Sequence, residues 1–386
     1  MKRLNNLYSA TYELNNIIEM TDKVCSRVRN KRKVDKFETY KSEHLLNIKN
    51  RLESKNIKIE KYNIFMINDP KYRIIMSLDI EDKIINHLIA KYMLVKVFEN
   101  KYIDSMVATR TLKGTSYGIK LLKKYLNKIK KYNNFYILKI DISKYFYSID
   151  HNVLKEILRK NIKDEDALNI LNNIIDSTNM PYINEKITKL KLSKIKFLKE
   201  SNINNKYKLI GEVEKIPLYE YGKGVCIGNQ TSQSFGLIYL YELNHYIKEK
   251  LHIKYFVNYM DDFVILHEDK EYLKYCLKEI KYKLNNIYKL RINYNKTKIN
   301  NIRCGIDFLG YRFYLKNNKV IIKIRNHTKK KFKRKAKELK MLINEGVINF
   351  KKFNLILSSY KGLLQYGDCK NLYYKNIDLK KYNKFN

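Results

Sequence analysis

The chain has 386 residues, 45% of them hydrophobic and 31% charged, the make-up of a globular protein that can bury a large core. Lysine and arginine total 79 against 39 aspartates and glutamates, a net charge of +40. Base-composition bias would enrich acidic residues as well, so this excess points to a polyanionic partner, with nucleic acid ahead of a membrane surface.

Cys25, Cys226, Cys276, Cys304 and Cys369 form no CxxC pair and are odd in number, which argues against structural zinc and a disulfide framework and for a reducing cytoplasm. The basic start MKRLNNLYSATYEL has no apolar run behind it, so it does not read as a signal peptide. No stretch approaches the ~18 apolar residues of a membrane span. A soluble, cytoplasmic protein without a membrane partner is expected. With 12 Gly and 3 Pro there is no linker and no repeat, so the lobes should pack on one another.

In chain order, residues 1–134 read as mostly helical and very basic. FYILKID at 135–141 is an apolar, aromatic-rich run that reads as a buried strand. Asp150 is placed to cap a helix carrying Val153, Leu154, Ile157 and Leu158 on one face. Residues 178–221 turn polar and Lys-rich without clear periodicity and read as an inserted loop or hairpin. KYFVNYMDDFVIL at 254–266 reads as two short strands around a tight turn. A helix with Leu273, Leu277, Ile280, Leu284 and Ile287 on one face follows, then strands at about 306–325. The last lobe is helical. Residues 328–346 fit a helix with Thr328 as N-cap, Gly346 just past the end, and Phe332, Ala336, Leu339 and Ile343 as its apolar stripe. Its remaining faces are almost uniformly cationic, Lys330, Lys333, Arg334 and Lys337 among them. That is unfavourable unless a polyanion lies alongside, so this helix is expected to follow a nucleic-acid backbone.

The chemistry centres on Tyr259-Met260-Asp261-Asp262. Two adjacent carboxylates at a hairpin tip cannot both be buried and ionised without a cation between them, and carboxylate oxygens suit magnesium. By itself this could be an ordinary polar turn. Apolar strands on both sides would hold it rigid, as a metal site requires. Asp141, at the end of the strand 135–141, supplies a carboxylate from a separate strand. Two-metal phosphoryl transfer needs that arrangement around ions roughly 3.5–4 Å apart.

DISKYFYSIDH at 141–151 and YMDD resemble motifs A and C of the reverse transcriptase family. GKGVCIGNQTSQSFGLIYL at 222–240 resembles motif B, and NKTKI at 295–299 and DFLG at 307–310 resemble motifs D and E. PKYRIIMSL at 70–78 and ATRTLKGTSYGI at 108–119 resemble the fingers motifs of bacterial members, and SSYKGLLQYGD at 358–368 the start of their thumb signature. The likeness runs over about residues 65–375 in the family's order. Ile227-Gly228-Asn229-Gln230-Thr231-Ser232-Gln233 is most similar to bacterial non-retroviral enzymes of the diversity-generating retroelement branch, and phage-defence reverse transcriptases share parts of it. No RNase H, maturase or endonuclease segment is recognised.

The resemblance implies an α+β right-hand polymerase. N-terminal region and fingers would span 1–134, a palm with an antiparallel sheet 135–310 with the insertion at 178–221, and a helical thumb 311–386. Asp141, Asp261 and Asp262 would be catalytic and, with Ile142, would form the set for two Mg2+ ions. Lys296 matches the motif D lysine that protonates departing pyrophosphate, beside the plainer reading of one more surface lysine. Phe146 matches the steric gate against a ribose 2′-hydroxyl, which implies deoxynucleotide use. Tyr145, Ile227, Gly228, Asn229, Gln230, Tyr259 and Met260 join it in the substrate-binding set. Lys71 and Arg73 match residues that grip the triphosphate, and Arg110 and Lys113 ones that hold template or nucleotide. Ile227 stands where a glutamine would hydrogen-bond the incoming sugar, so relaxed fidelity is expected.

The implied partners are an RNA template, encoded nearby as a non-coding RNA, a DNA primer or product, and dNTPs. An accessory protein or a second copy of the chain stays open. So do three rival readings: a template-independent or self-primed DNA polymerase of an abortive-infection system, an RNA-dependent RNA polymerase, and a catalytically inactive RNA-binding scaffold. Phe146 speaks against the second, and the intact aspartate triad against the third.

Overall fold

The computed structural model describes residues 3–377 except 56, 69 and 133. In chain order, α1 (Leu14–Arg27), α2 (Lys31–Thr39) and α3 (Lys41–Glu53) precede the hairpin β1 (Asn63–Asn68) and β2 (Tyr72–Ser77), then α4 (Ile80–Ile89) and α5 (Thr115–Ile129). After β3 (Tyr136–Asp141) come α6 (His151–Asn161), α7 (Glu165–Asp176), α8 (Pro181–Glu200), α9 (Lys206–Glu214) and α10 (Gln230–Tyr239). The chain continues through β4 (Tyr255–Tyr259), β5 (Asp262–His267), α11 (Lys270–Asn286), β6 (Lys298–Asn301), β7 (Ile306–Phe308), β8 (Tyr311–Lys316) and β9 (Lys319–Ile324). It closes with α12 (Asn326–Asn344), α13 (Phe350–Leu364) and α14 (Lys370–Asn376). This is the mixed α+β architecture expected from the sequence.

These elements form two compact units that interleave along the chain. One takes in the described residues of Met1–Ile103, Ile142–His245 and Lys281–Ile292, the other those of Asp104–Asp141, Tyr246–Ile280 and Asn293–Asn386.

The second unit holds a four-stranded antiparallel sheet in the order β4-β5-β3-β6. Ile137, Val257, Val264 and Leu266 from this sheet pack with Leu122 and Leu126 of α5, because alternate residues of each strand point to the same face. A three-stranded sheet β7-β8-β9 leads into α12, whose Phe332, Ala336, Leu339 and Ile343 are buried in the same core. The apolar stripe is therefore where the sequence placed it. Gly346 also has the left-handed φ of +72° that ends a helix, as expected. The cap is not: α12 begins at Asn326 directly after β9, Arg325 is its N-cap without a side-chain hydrogen bond, and Thr328 lies inside the first turn.

In the first unit, Asp150 caps α6 by accepting from Val153 N at 3.1 Å, as its position before the apolar stripe implied. The 178–221 region is a correction: it is two helices, α8 and α9, and not a loop. Pro181 at the first helical turn starts α8, and Lys, Leu and Ile propagate it well. Only Ile183, Ile187 and Leu198 of its residues are buried, so the apolar period is too thin to stand out. The β1–β2 hairpin within the supposedly helical start was also not anticipated. No helix among the described residues is long and apolar enough to cross a membrane.

Candidate active site

The antiparallel register of β3 against β5 sets Asp141 directly opposite Asp262. Tyr259 pairs with Asp262 across the β4–β5 hairpin, leaving Met260 and Asp261 as a two-residue turn. Met260 has φ +57°, a conformation that costs a non-glycine residue energy and persists only when its surroundings enforce it. Asn258 supplies that enforcement. It is 1% exposed, and its Nδ2 donates to Met260 O at 2.7 Å. Its backbone N donates to Ser105 O at 2.9 Å, and its carbonyl accepts from Val107 N at 3.0 Å. The turn is thereby tied to a neighbouring segment as well as to its own strands.

The carboxylates meet two lysines. Lys296 Nζ donates to both oxygens of Asp141, at 2.9 and 2.8 Å. Lys139, two residues before Asp141 on the same strand face, donates to Asp262 Oδ2 at 3.2 Å and to Asp307 O at 2.6 Å. Asp262 Oδ1 is buried without a hydrogen-bond partner. Burial, and then the neighbouring Asp141, push the Asp261 carboxyl up to about 6. Burial pushes Asp262 up too, against the pull of Lys139. Three hard oxygen donors, one with an orphaned buried atom, are chemically suited to a divalent cation. The fit is in donor type and charge. Among the described residues no three acidic, His or Cys side chains converge into a ready-made metal cage. A basic cavity of about 560 Å³ adjoins Lys139 and Lys296, with Lys298, Arg312 and Arg325 also in its lining.

Other expected residues lie in the same unit. Arg110 Nη1 donates to Met106 O at 2.9 Å, and Lys113 Nζ donates to Asp104 Oδ1 at 2.6 Å while lying 5.0 Å from the Tyr117 ring centroid. Met260 is buried and Tyr259 is packed against the core. Lys330, Lys333, Arg334 and Lys337 are all exposed on α12.

The first unit holds the remainder. Phe146 is half-buried, its carbonyl accepting from Val225 N at 2.8 Å. Tyr145 is 3% exposed and its hydroxyl donates to Gly236 O at 2.5 Å. Ile142 is buried and bridges to Ile292. Ile227 O accepts from Met76 N at 2.9 Å, which binds the 226–229 loop to β2. Gly228, at φ +131°, sits so close to β2 that a Cβ would lie 3.0 Å from Ile75 Cγ2 and 3.2 Å from Met76 O. Asn229 is buried, with Nδ2 2.9 Å from Cys226 Sγ and Oδ1 unpaired, and Gln230 opens α10. Lys71 and Arg73 are exposed at the turn and start of β2.

Sequence reasoning missed Asn258 and Lys139. The period-2 alternation of β3 was a usable signal for Lys139, since residues two apart share a strand face. Nothing local marked Asn258, whose role depends on Ser105 and Val107.

Residues 59–313 match a protein-family model described as reverse transcriptase (RNA-dependent DNA polymerase). The chain belongs to the reverse transcriptase family. Its α+β fold is thus of the right-hand polymerase class, and the aspartates at the end of β3 and in the β4–β5 turn lie within the matched span. No curated protein matched the chain in a sequence search. Among solved structures, the chain resembles telomerase from Candida albicans in complex with a TWJ fragment of telomeric RNA, with TM-score 0.43 and 14% identity. That match covers 75% of this chain and 49% of the telomerase chain, so the chain spans about half of that structure's length.

Proposed function

We propose that the protein is an RNA-directed DNA polymerase that extends a primer 3′-hydroxyl with deoxynucleoside triphosphates. The observation that carries the reading is the pairing of Asp141 with Asp262, with Asp261 in the adjoining turn, inside a chain of this family. The site would hold two magnesium ions through Asp141, Asp261 and Asp262, with Ile142 beside them. When bound, the ions supply activation of the hydroxyl and neutralisation of charge on the leaving pyrophosphate. The protein's own part is positioning: Asn258 fixes the turn, Lys139 orients Asp262, and Lys296 stands ready to give a proton to pyrophosphate.

Phe146 would exclude the ribose 2′-hydroxyl; Tyr145, Ile227, Gly228, Asn229 and Gln230 would serve substrate binding, and so would Tyr259 and Met260. Lys71 and Arg73 would grip the triphosphate, and Arg110 and Lys113 the template or nucleotide. An N-terminal region with fingers at 1–134, a palm at 135–310 with the insertion at 178–221, and a thumb at 311–386 are the functional division this reading gives the chain. Ile227 packs but cannot hydrogen-bond the sugar, so fidelity is low; Ile227→Gln should narrow the misincorporation spectrum, and an unchanged spectrum would refute that point. The setting is a bacterial retroelement or anti-phage defence system, in the cytoplasm, with a co-encoded non-coding RNA as template.

The test is to purify the protein with its bound nucleic acid, add all four dNTPs and magnesium, and sequence the products beside those of Asp261→Ala. Triad-dependent products that copy a co-purified RNA are expected. Triad-dependent products matching no RNA would replace templated with untemplated synthesis.

A further inference from the structure

The insertion at 178–221 is bonded at both its ends and its middle to segments that carry the proposed nucleotide contacts. Its middle packs on the β1–β2 hairpin: Leu198, Ile210 and Val213 form a small buried cluster against Met66 and Tyr72. Lys194 Nζ lies 5.7 Å from the Tyr72 ring centroid and 4.4 Å from that of Phe197, within cation–π range of both. Tyr72 is flanked in sequence by Lys71 and Arg73. Before β1, Tyr62 N donates to the Tyr182 hydroxyl at 2.8 Å.

The ends of the insertion meet at a neck. Asn184 Nδ2 donates to Tyr219 O at 2.8 Å, and Tyr219 N donates back to Asn184 Oδ1 at 2.9 Å. From this neck the bonds run into the segment before Gly228. Gly222 N donates to Asn179 Oδ1 at 2.8 Å, and Thr178 Oγ1 donates to Gly224 O at 2.9 Å. The Tyr219 ring packs tilted against that of Tyr147, the residue after Phe146, with centroids 4.7 Å apart, and lies so close to Gly224 that a Cβ there would sit 2.7 Å from it.

We infer that the insertion is a brace: it fixes the β1–β2 hairpin, and with it Lys71 and Arg73, in register with the Phe146 and Gly222–Gly228 segments. Tyr72, Lys194, Ile210 and Val213 are then positioning residues for nucleotide binding. The role rests on the polymerase reading, but the brace itself is mechanical. A two-stranded hairpin standing alone is marginally stable, and helices packed on its side chains supply what it lacks. The closed neck predicts that the far part can be removed without disturbing its base.

The experiment uses the full chain with residues 186–217 replaced by a short Gly/Ser linker, and alongside it the gentler Ile210→Ala/Val213→Ala double variant and Lys194→Gln. Hydrogen exchange reads the brace without needing activity. Amides of β1 and β2 should exchange about tenfold faster in the shortened and double variants, while the β3–β5 amides stay unchanged. On a supplied primer–template, the KM for dNTP should rise by about tenfold with kcat and primer–template affinity retained, the pattern of lost nucleotide positioning. Unchanged β1–β2 exchange would overturn the brace. Weakened primer–template binding with normal KM would overturn it too, making the insertion a nucleic-acid surface. A wild-type protein with no Asp261-dependent incorporation would sink the polymerase reading, and the exchange result would still decide the brace.

Discussion

Asp261 sits in the turn with its carboxyl raised to about 6 from an ordinary 3.8, so the fold prefers it protonated. Without a cation, the unfolded chain ionises between those values while the folded chain resists, so this group's contribution to stability falls as pH rises from about 3.8 to about 6 and stays low above. In EDTA at pH 7–8, Asp261→Asn should therefore be more stable than wild type by roughly 1–3 kcal/mol. The melting temperature checks this. Added magnesium should stabilise wild type and leave the variant almost unmoved, and the variant should be inactive. At Phe146 the expected change is in selectivity. Phe146→Ala should raise ribonucleotide use relative to deoxynucleotide use by about 10–100-fold, the range open to one steric contact, measured with matched rNTP and dNTP pairs. Continued rejection of ribonucleotides would remove Phe146 from the gate.

The β4–β5 hairpin is the element on which the proposed chemistry depends, and its turn is strained at Met260. Asn258 is a side-chain anchor of that turn which sequence spacing did not suggest. Asn258→Ala leaves the Met260 carbonyl without that donor in a buried setting and should cost about 1–3 kcal/mol of stability. Because the loss falls on the position of Asp261, kcat should drop more than dNTP affinity does, which pre-steady-state incorporation can separate. Retained kcat with only a lowered melting temperature would make Asn258 purely structural. The same element shows what the sequence could reveal: alternation and flanking apolar runs identified the two strands and the turn, because those signals are local. The insertion shows the converse. Helices α8 and α9 were hidden because their buried residues are few and their lysines blur the period.

At the scale of the molecule, a net charge of +40 would make the proposed nucleic-acid binding dependent on salt through counterion release. Affinity for a primer–template should fall linearly on a log–log plot against salt. Replacing Lys330, Lys333, Arg334 and Lys337 by glutamine should flatten that slope by about 0.9 for each phosphate left without its cation. An unchanged slope would mean that α12 does not follow the backbone.

Local patterning is enough to specify the order of motifs, the strand ending in Asp141, the hairpin carrying Asp261 and Asp262, and the apolar stripe of α12. Each is written in residue types a few positions apart, where the strand period of two and the helix period of 3.6 act directly. Long-range packing sets Asp141 opposite Asp262 in register, makes Lys139 and Lys296 their partners, and lets Asn258 hold the turn. It also seats the helices of the insertion on β1–β2. Those facts join residues far apart in the chain. Which lysine among so many meets which aspartate is set by burial and strand register, and neither is carried by any short stretch of sequence.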